Sequence, residues 1–363
     1  MVAIPASSET AATAAPRSQD VRSLGINPNH WYVVARSDEV TDKPLGVVLW
    51  EAAIVLFRDA DGTIQAVEDR CPHRQVKLSH GQVVQGQLEC IYHGWHFDAA
   101  GRCTHVPYLA ANQKLPTCTL KTYPVQDLDG FVWLFPGDRT HLPAQSPQPL
   151  GLPEWHHLNY IATVSVIDVQ AHYSFLIENL MDMYHGRLHD DYQAWADPVL
   201  ATLDATDQRV DVLYNAQSYY RIDKIWSVSQ LFFPALRRLH PEELWVSYAY
   251  PHWVSTLGQD FKICCLFCPV SATHTRAYLV HFTSLQAFHR LHKLPVPFRR
   301  WVKNRLFGSA QKMLDGLVAQ DVLMLEQEQQ SYLAHPDRKG PELNRALISV
   351  QKLIRQQALA AEP

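Results

Sequence analysis

The sequence predicts an α+β protein in which a small all-β domain precedes an antiparallel sheet that is accompanied by helices. Short strand-like runs separated by turn signals fill the first third of the chain. Longer runs rich in β-branched and aromatic residues recur after about residue 160, and apolar residues at helical spacing follow residue 284. The chain has 363 residues, enough for two domains.

Composition is that of a soluble globular protein, with 47% hydrophobic and 19% charged residues. The net charge of -4 gives no support for nucleic-acid binding, and no apolar run is long enough to predict a membrane span. The 7 cysteines follow a start without an apolar signal segment, which favours metal ligation in a reducing, cytoplasmic compartment over disulfides. Residues 1–28 are predicted to be a disordered tail.

The first domain is predicted over residues 29–135. Its strand-like runs are Val47–Trp50, Ala53–Phe57 and Ile64–Val67, and Asp61-Gly62 is a hairpin turn signal.

Two short motifs inside this domain have the residue types of a metal site. Cys71-Pro72-His73 and Cys90-Ile91-Tyr92-His93 form a C-x-H and a C-x-x-H pair with sixteen residues between them. Two thiolates and two imidazoles bind either Zn2+ or a [2Fe–2S] cluster, so the spacing alone leaves both open. Arg70, Arg74 and Lys77 flank the first motif and form either a docking patch for an acidic electron donor or an ordinary solvated loop.

Residues 136–156 contain five prolines and are predicted to be a linker to a second domain over 157–335. This domain begins with a strand at Tyr160–Ile167. Further strand-like runs, expected in one antiparallel sheet, are Val210–Tyr214, Ser218–Ile222, Glu243–Tyr250, Phe261–Cys268 and Thr275–Phe282. Cys265 and Cys268 form a C-x-x-C within an apolar strand and are interpreted as core residues.

A second constellation lies on a helix predicted to start near Gln170. Asp182, His185 and His189 stand at i, i+3 and i+7 and would share one face of that helix. Two histidines with one further carboxylate form the Fe(II) site of non-haem oxygenases, which leaves positions open for O2. Asp321, on a later helix, is the leading candidate for that carboxylate, although it would otherwise be an exposed acid on an amphipathic helix.

Two segments near the C-terminus remain. Residues 293–307 mix basic and bulky apolar residues, and they either contact a membrane or partner surface or turn Trp301 and Phe307 to the core. A last amphipathic helix, within residues 336–363, has no evident chemistry.

The order of these motifs resembles the catalytic (alpha) subunit of the Rieske non-haem iron oxygenases of the single-component α3 type. The resemblance covers residues 29–335 and rests on Cys71-Pro72-His73-Arg74, on Cys90 to Trp95, and on Asn179-x-x-Asp182-x-x-His185-x-x-x-His189 before Asp321. The chain places three residues between the last two histidines, where many members place four. The resemblance implies a Rieske domain followed by a helix-grip (START-like) catalytic domain.

The resemblance also implies the roles of the site residues. Cys71 and Cys90 would bind one iron of a [2Fe–2S] cluster, and His73 and His93 the other. The mononuclear Fe(2+) ligands would be His185, His189 and Asp321. Asn179 would lie beside this iron, and Asp182 would link His185 to a Rieske histidine, His93, of the neighbouring subunit in a head-to-tail homotrimer.

The activity implied is that of a terminal oxygenase, a monooxygenase or dioxygenase. It would use O2 and electrons from NAD(P)H, delivered by a reductase or ferredoxin, to hydroxylate or demethylate a small hydrophobic or aromatic substrate. Three alternatives stay open: an oxygenase that cleaves, cyclises or desaturates a large pigment or natural product, a Rieske electron-transfer protein without oxygenase activity, and a zinc-binding structural module.

Overall fold

The structure, a computed structural model, describes residues 20–137, 148–192, 195–218, 239–257, 261–285, 293–336, 338 and 340–360. It opens with a short 3-10 helix, Val21–Ser23, in which Val21 is fully buried. Arg22 binds the carboxylate of Glu178 at 2.8 Å. The prediction of a disordered tail is therefore wrong for residues 20–28, because this apolar and paired segment packs into the core; residues 1–19 lie outside the described residues.

The N-terminal part of the chain consists of small antiparallel sheets. Its strands are β1 (Tyr32–Arg36), β2 (Leu45–Leu49), β3 (Ala52–Arg58), β4 (Ile64–Glu68), β5 (Gln82–Val84), β6 (Gln87–Glu89), β7 (His96–Phe97), β8 (Cys103–His105), β9 (Thr122–Tyr123), β10 (Val125–Leu128) and β11 (Phe131–Leu134). They are ordered β1-β11-β10, β2-β3-β4-β9 and β5-β6-β7-β8. The predicted hairpin turn joins β3 to β4, with Gly62 in the left-handed conformation (φ 79°).

The second half contains one antiparallel sheet, as predicted. Its strands are β12 (Tyr160–Val169), β13 (Trp195–Ala205), β14 (Arg209–Ser218), β15 (His240–Ala249), β16 (His252–Leu257), β17 (Phe261–Ser271) and β18 (His274–Ser284). Their order is β12-β18-β17-β16-β15-β14-β13. Sequence reasoning missed β13 and β16. Ser218 ends β14 instead of starting a new strand, and residues 219–222 of that predicted strand lie outside the described residues.

The large sheet is covered on both faces. One face packs against first-domain residues such as Trp31 and Trp133 through Leu266 and Tyr278. The other forms the main core with helix α1 (Tyr173–Met181) and helix α3 (Arg345–Leu359). Cys265 and Cys268 are buried within β17 and not in disulfides, in agreement with their predicted core role, and burial raises the pKa of Cys268 to about 12; Cys264 beside them is buried as well.

Helix α2 (Val296–Ala334) lies along the edge strand β12. Ser165 of β12 donates to Asp315 at 2.8 Å, and the amide of Gln170 donates to Glu326 at 3.0 Å. Near its start, Trp301 is 60% exposed, so of the two alternatives for residues 293–307 the one that turns Trp301 to the core is wrong; the Phe307 side chain lies outside the described residues. None of the described helices has an apolar stretch sufficient to cross a membrane.

Candidate metal centres

The two Cys/His motifs lie in loops of matching geometry. The amide of Gln75 donates to the carbonyl of Cys71 at 2.8 Å, and that of Gly94 donates to Cys90 at 2.9 Å. Both closing residues have a positive φ, 62° for Gln75 and 66° for Gly94. A Cβ at Gly94 would also lie 2.8 Å from Pro107, so both the backbone conformation and the lack of space favour glycine at this position.

The four predicted ligands converge between these loops. The rings of His73 and His93 are 4.6 Å apart, and the thiols of Cys71 and Cys90 are buried in mutual contact. Burial, with the neighbouring thiol, raises the pKa of Cys71 to about 11, so this sulfur becomes a thiolate only when a metal binds it. Nδ1 of His73 is buried without a hydrogen-bond partner among the described residues, which leaves its lone pair available to a metal. These donors fit an iron–sulfur cluster.

An aromatic side chain supports this site. Trp95 stacks on His73 with ring centres 4.7 Å apart and planes inclined by 8°, and its Nε1 donates to the hydroxyl of Tyr108 at 2.8 Å. Sequence reasoning gave neither residue a role; the only signal was the position of Trp95 two residues after His93. Ile91 and Tyr92 next to this site are 70% and 59% exposed, so the tip of the domain presents an apolar surface.

The basic residues near the first loop differ in their pairing. Arg70 donates to Glu68 at 2.6 Å and to Gln75 at 2.8 Å, while Arg74 and Lys77 are exposed.

The histidine-bearing segment of the second domain is not one continuous helix. Helix α1 begins at Tyr173, ends at Met181, and is followed by extended backbone at Asp182 (φ −97°, ψ 100°). A 3-10 segment then spans Met183–Tyr192, with non-helical backbone at His189. The prediction of a single helix from about Gln170 is wrong because the Asp182 side chain accepts from the amide of Tyr184 at 3.0 Å, a local bond that competes with the helical pattern.

Despite this break, His185, His189 and Asp321 come together. One ligand atom from each lies within 4.8 Å of the others. Nε2 of His189 is 3.3 Å from Oδ1 of Asp321, and Nε2 of His185 is 3.8 Å from the same oxygen. A transition metal with bonds of about 2.1 Å to each atom fits such a triangle.

Two amides hold this triangle in place. Nδ1 of His189 lies 3.0 Å from Oε1 of Gln320, so Nδ1 carries the proton and Nε2 points its lone pair at the site. Although burial lowers the pKa of His189, hydrogen bonds to Asp321 and Gln320 raise it above the usual value. Asn179 donates from Nδ2 to Oδ1 of Asp321 at 3.3 Å, which places it where the prediction expected it. Sequence reasoning missed Gln320, although it precedes Asp321.

Asp182 is held by the C-terminal helix. Asn344, the residue that caps α3, donates from Nδ2 to the Asp182 carboxylate at 2.9 Å. The C-terminal segment, in which the sequence showed no evident chemistry, thus contacts one of the predicted site residues. Nδ1 of His185 has no hydrogen-bond partner among the described residues. Burial lowers the pKa of His185, and the charges of Asp321 and Asp182 partly oppose this.

Trp195 of β13 closes the site from one side. Its ring centre lies 5.4 Å from that of His185 and 5.5 Å from that of His189, and its Nε1 donates to the carbonyl of Met183 at 2.7 Å. A Cβ on Gly186 would lie 2.6 Å from this Nε1, so a residue without a side chain is needed there.

Comparison with known proteins finds relatives of this chain in sequence and in fold. The Rieske [2Fe-2S] domain family matches residues 30–124. The chain is 34% identical to a 4beta-methylsterol monooxygenase of Methylococcus capsulatus, over 93% of this chain and 90% of that protein. It is 36% identical to the oxygenase component of dicamba O-demethylase from Stenotrophomonas maltophilia, over 44% of this chain and 46% of that protein. A crystal structure of dicamba monooxygenase bound to 3,6 dichlorosalicylic acid superposes with a TM-score of 0.75 at 20% identity, covering 94% of this chain and 100% of that one.

Proposed function

The chain belongs to the Rieske non-haem iron oxygenases, and from that premise we propose that it hydroxylates or demethylates a hydrophobic substrate at an iron held by His185, His189 and Asp321. The membership confirms the predicted α+β fold, the enzyme class and the cofactors: a [2Fe–2S] cluster, a mononuclear iron, O2, and electrons from a ferredoxin or reductase. The alternatives of a structural zinc module and of a pure electron carrier are set aside.

The observation that carries the site assignment is the convergence of two imidazoles and one carboxylate from separate parts of the chain. A mononuclear iron with this donor set supplies redox chemistry with O2 at positions the protein leaves open. The protein orients the metal ligands in this proposal. Gln320 fixes the ring of His189 so that Nε2 faces the site, and Asn179 donates to the Asp321 carboxylate. Trp195 packs beside both histidines and excludes water there. The side chain of His189 is 2% exposed, whereas those of His185 and Asp321 are 18% and 19% exposed, so access to the triangle is from the side of His185 and Asp321.

The [2Fe–2S] ligands in this proposal are Cys71, His73, Cys90 and His93. Support comes from three observations. The four side chains converge, Nδ1 of His73 has no hydrogen-bond partner among the described residues, and both loops are closed by the same kind of backbone hydrogen bond to the cysteine carbonyl. The cluster supplies electrons one at a time, and its two imidazole ligands raise the reduction potential above that of an all-cysteine cluster.

We further propose a homotrimer in which Asp182 connects the two metal sites of neighbouring subunits. Within one chain the Asp182 carboxylate is bonded to Asn344 and to the amide of Tyr184, and the nearby Nδ1 of His185 has no hydrogen-bond partner in the described part of the chain. An oligomer would cover the exposed Ile91 and Tyr92 at the cluster tip. The unpaired state of all seven cysteines supports a reducing compartment such as the cytoplasm.

The proposed substrate is small, hydrophobic or aromatic. Support comes from the relatives, which include a methylsterol monooxygenase and a dicamba O-demethylase. The relative matched over nearly the whole chain acts on a sterol by name, so a larger lipophilic substrate is the second candidate.

Iron analysis and O2 uptake test the proposal. The purified, anaerobically loaded chain should hold three irons, two in the cluster and one at the triad. With a ferredoxin, a reductase and NADH, it should consume O2 when a methylsterol or a methoxylated aromatic compound is added. Two irons per chain, or a third iron that survives Asp321→Ala, would contradict the ligand assignment.

A further inference from the structure

Two cysteines of the first domain belong to neither proposed metal site. Of the seven cysteines in the chain, two are proposed cluster ligands and three are buried in β17, which leaves Cys103 and Cys118. Cys103 lies in β8 and is 8% exposed, whereas Cys118 is half-buried and accessible from solvent.

An antiparallel bridge places these two cysteines opposite each other. The bridge pairs Arg102 with Thr119. In such a pairing the residue after one partner lies opposite the residue before the other, so Cys103 is opposite Cys118. Opposed residues of antiparallel strands have Cα atoms about 4.5–5.5 Å apart and side chains on the same face. A disulfide needs a Cα separation of about 4.4–6.8 Å, so the register is compatible with one.

The exposure of the neighbouring residues agrees with this register. Arg102 and Thr119 are exposed, whereas Leu120 is buried and its amide donates across to the other strand at 2.8 Å. Because side chains alternate between the two faces of a strand, those of Cys103 and Cys118 point inward together. Both pack with the apolar residues around the cluster loops. Burial raises the pKa of Cys103, and the like charge of the nearby Cys118 raises it further.

The segment between the two cysteines covers the second cluster loop. Val106 is buried among the apolar residues of this region. Pro107 lies against Gly94, where an added Cβ would meet it at 2.8 Å. The hydroxyl of Tyr108 accepts from Trp95, whose ring stacks on a proposed cluster ligand. The position of this segment therefore bears on how well the cluster loop is covered.

Beyond these contacts the segment runs over the surface. Residues 110–115 are exposed and lie outside helices and strands, and the chain pairs with β8 again at Thr119. A bond between Cys103 and Cys118 would close this loop at its base. A closed loop has fewer open conformations available, so the bond would favour the state in which the segment stays on the cluster loop.

We propose that Cys103 and Cys118 form a peroxide-sensitive dithiol whose disulfide fastens residues 104–117 over the cluster. Cys118, the more accessible thiol, gives up its proton and attacks one oxygen of hydrogen peroxide; the O–O bond breaks, water leaves and a sulfenic acid forms. Cys103 attacks that sulfur, the S–S bond forms, and a second water leaves with the remaining thiol proton. The two sulfurs lose two electrons in total, and one peroxide is reduced to two waters. This modification site goes beyond the proposed oxygenase function and does not depend on it.

Mass spectrometry of the peroxide-treated holoenzyme tests the pairing. Trypsin cleaves after Arg102, Lys114 and Lys121, so Cys103 and Cys118 fall on separate peptides. After alkylation of all free thiols under denaturing conditions, a cross-linked pair of these peptides should appear, and dithiothreitol should separate it. The three cysteines of β17 serve as an internal control and should be recovered as alkylated thiols, because burial keeps the oxidant away. Recovery of both test cysteines as thiols, or as separately oxidised residues without a cross-link, would overturn the assignment.

The visible absorption of the [2Fe–2S] cluster tests the fastening. Once catalase has removed the peroxide, the oxidised holoenzyme should lose this absorption in denaturant about 10–100-fold more slowly than the dithiothreitol-reduced form. Cys118→Ser should lose the difference, with Cys118→Ala as a second variant, and both also control for direct damage to the cluster. Thr119→Ser, on the exposed face of the same strand, should keep the difference. Equal rates in the two forms of the wild-type protein, or a difference that persists in Cys118→Ser, would overturn the proposal. Neither readout needs substrate or the iron of the triad.

Discussion

Replacement of Gln320 by Leu tests whether His189 binds iron through Nε2. Gln320 accepts the Nδ1 proton of His189 at 3.0 Å, and the imidazole is almost fully buried, so water cannot replace the lost acceptor easily. Leu has a similar volume but offers no oxygen. The unpaired N–H costs about 1–3 kcal/mol, and the other tautomer, which relieves that cost, puts the proton on the atom that should bind the metal.

Loss of such a supporting hydrogen bond typically weakens metal binding about 10–100-fold. Titration of the apo triad with Fe(II) should therefore show a dissociation constant raised by this factor in Gln320→Leu. The visible absorption of the [2Fe–2S] cluster serves as an internal reference and should not change, since the cluster ligands lie in the other domain.

Two further variants complete this experiment. Gln320→Glu keeps an acceptor oxygen and should bind iron at least as tightly as wild type, because a carboxylate partner raises the basicity of the ligand. Gln327→Leu replaces an exposed glutamine of the same helix and should have no effect. An unchanged iron affinity in Gln320→Leu, or an equal loss in the Gln320→Glu variant, would show that His189 is not oriented in this way.

Three other predictions follow from the contacts. Asp182→Asn should keep both metals by iron analysis but reduce turnover about 10–100-fold, and turnover at the wild-type rate would exclude a role in electron transfer. Burial raises the pKa of Glu178 from 4.5 to about 7, so the folded chain holds this proton longer than the unfolded chain and stability falls as pH rises through that window, by up to about 3 kcal/mol. Denaturation of Glu178→Gln from pH 5 to 8 should lack this slope, and an unchanged slope would assign it to another group. Gly186→Ala should displace Trp195 and cost about 1–3 kcal/mol by thermal denaturation, whereas Gly340→Ala, with open space around it, should be neutral.

The two groups of proposed metal ligands were predictable because their donors are rare residue types at short spacing. The two Cys/His pairs each lie within four residues, and His185 and His189 are one turn apart, so local chain geometry alone brings each pair together. The strands of the large sheet were predictable for a similar local reason, since β-branched and aromatic residues recur along them.

What the sequence could not provide depends on long-range contacts or on competition between local bonds. Asn344 reaches Asp182 across 162 residues, and no local pattern distinguishes it from any other helix cap. The helix break at Asp182 arises because its side chain accepts from the backbone amide of Tyr184, two residues on, and helical periodicity does not record such a bond. β13 was missed because it carries Asp197, Pro198 and Asp204 among its apolar residues, which weakens the strand signal.

The hydrogen bond from Asn344 to Asp182 connects the C-terminal helix to the residue that is proposed to link the two metal sites. Because α3 packs on α1 and β14, any truncation, purification tag or natural variation that loosens this last helix would release Asp182 while leaving every proposed iron ligand intact. On the role proposed for Asp182, such a protein would keep its colour and metal content but lose electron transfer between its two metal sites. An altered C-terminal helix is therefore the first cause to test when a preparation contains all of its iron but is inactive.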